Sequence, residues 1–150
     1  MKKFTIPALL LCGIAILAMA MSTATENLNW MTNLPQAQAK AKTENKLVMM
    51  DFTGSDWCVW CKKLNREVFS TKDFADYAAK NLVLVEVDFP QAKPQSDEQK
   101  KANSDLQAKY NVQGYPTVIV LDSTGKKVGE LGYMPGGPKA FIAELDKLKK

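Results

Sequence analysis

Histidine is absent from all 150 residues. That absence removes Ser-His-Asp and Cys-His catalysis, His-ligated zinc or copper, and His-based pH sensing. Cysteine is scarce, with three in the chain, and no charge sign dominates: 20 Lys and Arg against 16 Asp and Glu leave +4. So small and scattered an excess gives no footprint for nucleic acid. Eight Gly and seven Pro are too few for collagen-like or low-complexity chains. What is present is ordinary: 46% hydrophobic and 24% charged residues, enough for one domain with a single core.

The N-terminus has a pattern of its own. Lys2 and Lys3 precede an apolar run from Phe4 to Met21, and small residues Ala18, Ala20, Ser22, Thr23 and Ala24 follow. This is the tripartite order of a secretory signal peptide, residues 1–20, with Ala18-Met19-Ala20 as the cleavage motif and a second candidate as late as 24. The alternative is an uncleaved anchor, short for a span. Cys12 lies inside the apolar run and leaves with the leader. Without it the net charge is +2, and residues 25–150 form one exported domain with two cysteines, Cys58 and Cys61, in an oxidising compartment.

The rest of the chain alternates between helical and strand patterns. A helix is expected over 29–46, strands over 47–52 and 82–88, and a helix from Val59 with Leu64, Val68 and Phe69 on one face. Residues 89–101 read as a polar loop and 102–110 as a helix. A strand over 115–121, a turn at Asp122-Ser123-Thr124-Gly125, a strand over 127–133 and a helix over 138–149 complete the order. This predicts an α/β fold: a small mixed β-sheet flanked by helices, with a parallel crossover and an antiparallel hairpin at its end.

Cys58 and Cys61 stand three apart, after a buried strand and at the opening of a helix. The helix N-terminus offers free N–H groups and partial positive charge, which favour a thiolate on Cys58. Cys61, one turn further, is placed to attack the Cys58 sulfur. Zinc would need four ligands, and a single chain offers two thiols and no imidazole. As a structural bridge the pair is weak: closing about four residues contributes roughly 1.9 kcal/mol, against about 4.7 for a hundred-residue loop. Redox exchange fits this spacing better than either.

The segment Trp57-Cys58-Val59-Trp60-Cys61-Lys62, with Gly114-Tyr115-Pro116-Thr117 downstream, resembles the thioredoxin superfamily. It is most similar there to exported reductases of the DsbD C-terminal-domain and DsbH types, sharing also Glu67-Val68-Phe69-Ser70 and Gly132-Tyr133-Met134. The resemblance implies a thioredoxin-like fold, a redox-active Cys58–Cys61 disulfide and a cis bond before Pro116. It also implies that Asp51, beneath the cysteines, accepts the resolving thiol's proton. A local reading of Asp51 is a strand-end acid capping the turn backbone. Two departures stand out: one extra residue separates Asp51 from Cys58, and Asn65 occupies the place of a second acid that DsbD-type domains carry.

Trp57 reads as packing and shielding, and Trp60 as exposed to a partner. Tyr115 and Pro116 form a rim for a partner's extended backbone. The expected activity is reduction of protein disulfides, with Cys58 attacking and Cys61 resolving, no cofactor or metal, and a membrane thiol transporter of the DsbD kind as electron donor. A monomer is expected. The competing readings are a disulfide oxidase or isomerase, and a non-catalytic thioredoxin-like binding or assembly module.

Overall fold

A computed structural model describes residues 28–149. The leader expected over 1–20 and its cleavage site lie outside the described residues. Within them, no helix is long and apolar enough to cross a membrane.

The chain runs β1 (Trp30–Met31), α1 (Leu34–Glu44), β2 (Leu47–Thr53), α2 (Val59–Leu64), a π-helical turn (Asn65–Phe69) and α3 (Lys72–Asn81). It continues β3 (Leu82–Asp88), α4 (Asp97–Tyr110), β4 (Thr117–Leu121), β5 (Lys127–Leu131) and α5 (Gly137–Lys147). The five strands form one mixed sheet in the order β1-β3-β2-β4-β5. β3 pairs parallel with both β1 and β2, and β4 pairs antiparallel with both β2 and β5. This is the thioredoxin-like arrangement.

β2 is the middle strand and buried throughout, as a run covered on both faces must be. Strand alternation splits it between two cores. Leu47 and Met49 face one side with Leu64, Val68, Phe69, Phe74, Phe141 and Leu145. Val48, Met50 and Phe52 face the other with Leu34, Ala37 and Ala41 of α1. Each fully buried Leu, Ile or Phe contributes about 1.5–3 kcal/mol, so both faces hold the sheet. The first of these faces carries Asp51 beyond Met49, at the C-terminal end of the strand from which the chain turns into α2.

Several boundaries differ from the sequence pattern. The first helix starts at Leu34, capped by Asn33, whose side chain accepts from the Gln36 N–H; the residues before it form β1 instead. That helix is less exposed than its composition suggests, since three residues on one face are buried. α4 starts five residues earlier than expected, because Ser96 caps it by accepting from Gln99 N–H and Asp97 and Glu98 suit its first turn. Tyr115 and Pro116 precede β4 rather than open it, and β5 stops at Leu131.

Candidate active site

After β2 the chain must turn sharply to open α2. Gly54 allows it: a Cβ there would run into the Trp57 indole. Cys58 then sits at the N-cap of α2, and its sulfur accepts from the Cys61 N–H at 3.1 Å. Cys58 and Cys61 are bonded to each other, Cα to Cα 5.3 Å. Both are nearly buried, 7% and 5% exposed, so exposure does not distinguish them. Position does, since Cys58 alone lies at the helix start where N–H groups face its sulfur.

Around this disulfide the exposed surface is apolar. Trp57, Val59 and Trp60 are the large hydrophobic side chains exposed among the described residues. Trp57 donates its indole N–H to Phe89 O at 2.8 Å and meets the Tyr115 ring edge-on at 6.0 Å. Phe89 stacks on Tyr115 at 5.1 Å, and the Tyr115–Pro116 peptide is cis. On the other flank Trp60 packs on Tyr133 at 5.2 Å, with the Lys63 ammonium over both rings. Tyr133 donates its hydroxyl to Glu67 Oε2 at 2.9 Å.

The polar residues after β3, expected as solvated surface, are tied to this loop. Asp56 accepts from the backbone N–H groups of Gln91, Ala92 and Lys93 at 2.7–3.1 Å. Those bonds, that from Gln91 foremost, hold its carboxyl below the usual carboxylate range. Ser55 donates both its N–H and its hydroxyl to Asp88. Asp56, Phe89 and Tyr133 therefore shape the site, and residue spacing gave no sign of them. One signal was readable: an Asp directly before the cysteine segment, facing a Pro-containing stretch with free backbone donors.

Beneath the disulfide lies a cavity of about 220 Å³, lined by Trp30, Asp51, Thr53, Ser55, Cys61, Lys62, Asn65, Phe69 and Glu86. The structure thus brings Asp51 and Cys61 to one cleft, roomy enough for several waters. Asp51 is 8% exposed, and its Oδ1 is buried without a hydrogen-bond partner. Burial, and secondarily the charges of Glu86 and Asp88, push its carboxyl up to about 8. It is neither a backbone cap nor an ion-pair member, but a buried acid able to gain or lose a proton near neutral pH.

The sequence profile of the thioredoxin-like domain matches residues 34–149. The chain belongs to the thioredoxin-like family. It is 36% identical over 127 residues to the disulfide bond reductase DsbH of Chlamydia pneumoniae, spanning 85% of this chain and 76% of that protein. A solved structure of the DsbH oxidoreductase superposes with a TM-score of 0.79 at 35% identity, covering 88% of this chain and 91% of that one. The thiol:disulfide interchange protein DsbD of Yersinia pestis is 34% identical over 108 residues, which are 70% of this chain but only 17% of DsbD. Within the family the chain is a DsbH-like thiol–disulfide oxidoreductase with a C-x-x-C disulfide.

Proposed function

We propose that this thioredoxin-like protein is an exported reductase of protein disulfides. The observation that carries this reading is the N-cap position of Cys58, bonded to a Cys61 that shares a cleft with a buried, unpartnered carboxyl. In that arrangement Cys58 attacks a substrate disulfide as the thiolate, forming a mixed disulfide. Cys61 then attacks the Cys58 sulfur, releasing the second substrate thiol and closing the Cys58–Cys61 bond, while Asp51 handles the proton of the Cys61 thiol. The substrate is oxidant and the dithiol is oxidised, so no cofactor or metal enters.

The apolar rim of Trp57 and Trp60, with Tyr115 against Trp57 and Pro116 following it, is where an extended substrate backbone docks. The leader pattern supports export to the periplasm or beyond. There a membrane thiol carrier of the DsbD kind would return the electrons. The protein acts as a monomer. Reduction rather than oxidation is supported by the kinship with DsbH, a disulfide bond reductase, and by electrostatics. Whatever stabilises the thiolate makes the couple more oxidising. Here only a helix start favours it, with apolar Val59 and Trp60 between the sulfurs and acids below opposing negative charge.

The couple is accordingly expected under about −200 mV, well below the roughly −120 mV of strongly oxidising relatives. Equilibration with a glutathione or dithiothreitol buffer, read by Trp57 and Trp60 fluorescence, checks it. A value near −120 mV would assign an oxidase instead. In Cys61→Ser, attack by Cys58 survives and resolution does not, so mixed disulfides with client proteins should accumulate in an oxidising extract. A thiol-trapping gel that shows none would remove the division of labour between the two cysteines and favour the binding-module reading.

A further inference from the structure

The floor of the cleft holds more acid than a single proton acceptor requires. β2 and β3 run parallel with Asp51 opposite Glu86 and Thr53 opposite Asp88. Paired residues on neighbouring strands project from the same face about 4.8 Å apart. Alternation along β3 puts Glu86 on the side of Leu82 and Leu84, which pack with α2 residues. Both Asp51 and Glu86 line the cavity that reaches Cys61. The buried Asp51 Oδ1 accepts no hydrogen bond, so nothing holds Asp51 as a structural anion.

We propose that Glu86 is a positioning residue for the resolving step: with Asp51 it forms a carboxyl pair holding one proton and one negative charge, and that charge takes the proton of the Cys61 thiol. This rests on the reading of Cys61 as the resolving thiol. The step balances. The Cys61 S–H gives its proton to the pair and its electron pair to the Cys58 sulfur. The bond from Cys58 to the substrate sulfur breaks, and that sulfur leaves with the bonding electrons and takes a proton from water. The dithiol is oxidised and the substrate disulfide reduced.

Two adjacent carboxyl groups in a shielded cleft do not ionise independently, since the first charge disfavours the second. Burial, then the charge of Asp88, also raises the Glu86 carboxyl, while Lys93 opposes. The charged groups around the pair have other engagements. Asp88 on β3 is bonded by Ser55, and Lys93 in the following loop donates to Ser55 Oγ. Lys62 on α2 donates to Asp56 O. Glu86 is thus the neighbour whose charge decides when Asp51 ionises, after burial itself.

The test is a ¹³C NMR titration of the Asp51 carboxyl carbon in the oxidised full chain, wild type against Glu86→Gln. Removing the neighbouring charge should lower the Asp51 midpoint by about one pH unit, a tenfold change in its ionisation constant. Asp51→Asn should leave the Glu86 midpoint nearly in place, because Glu86 ionises while Asp51 is still protonated. In the reduced protein, Cys61 attack on a Cys58–thionitrobenzoate disulfide releases the chromophore. The pair becomes a base at its first ionisation, so the rising limb of that rate against pH should move up in Glu86→Gln, to the midpoint at which Asp51 alone ionises. An Asp51 midpoint unmoved in folded Glu86→Gln overturns the pair while leaving the reductase reading intact. A wild type that never releases the chromophore overturns the resolving role of Cys61, and the proposal with it.

Discussion

Cys58→Ser should reduce insulin-disulfide turnover to background, at least about a thousand-fold below wild type. Only a thiolate attacks a disulfide, and a serine hydroxyl is not ionised at neutral pH. The substitution is unusually clean for this position. Cys58 caps α2 through the Cys61 N–H, and serine is a preferred N-cap that keeps such a bond. What the fold loses is the short cross-link, about 1.9 kcal/mol by loop entropy. Thermal unfolding measured beside the turbidity assay separates that small loss from the chemical one. Cys61 does not substitute as attacker, because it lies inside the helix rather than at its start, away from the N–H groups that favour a thiolate on Cys58. A folded Cys58→Ser protein retaining a tenth of wild-type turnover would remove the nucleophile assignment.

The order of elements, the mixed sheet and the redox pair were legible in the sequence because each rests on local signals. β2 and β3 each open with a run of apolar residues, Leu47 to Met50 and Leu82 to Val85, the two cysteines share one helical turn, and the closing hairpin has turn chemistry. β1 was not legible: Trp30–Met31 has no period of its own and exists only through pairing with Leu84 and Val85. The start of α4 was missed for a different reason. Its cap and acidic first turn were there to read, but the helix has few apolar residues. It is held by Asn103, buried at 1%, whose amide donates to Asp88 O, and by Leu106 and Tyr110 packed against the core. In the site, Asp51 could be singled out as an acid ending an apolar strand. Glu86 could not, because its partner depends on the register between β2 and β3, which residue spacing does not encode.

Asp51→Asn should make the oxidised protein more stable at neutral pH while slowing resolution. The folded-state value of about 8 lies above the ordinary 3.8, so between those limits the folded protein holds a proton that the unfolded chain has released. Stability therefore falls as pH rises through that window, by up to about 1.4 kcal/mol per unit. At pH 7 the accumulated cost to wild type is about 4 kcal/mol at most. Asparagine escapes that cost but buries an amide in place of a group already lacking a partner at Oδ1, a penalty of about 1–3 kcal/mol. The net gain at pH 7 is thus about 1–3 kcal/mol, and its pH dependence is the better readout. Carboxyls held low elsewhere, such as Asp56 and Asp122, act in the opposite sense but are common to both proteins and largely cancel. Urea unfolding of both oxidised proteins from pH 4 to 9 should give a difference that grows with pH to about 8 and is level beyond it. Parallel curves would mean that Asp51 is ionised normally in the folded state, leaving Cys61 without its raised acid. A growing difference, paired with slower resolution in Asp51→Asn, means that the fold keeps a destabilising carboxyl where its proton is used.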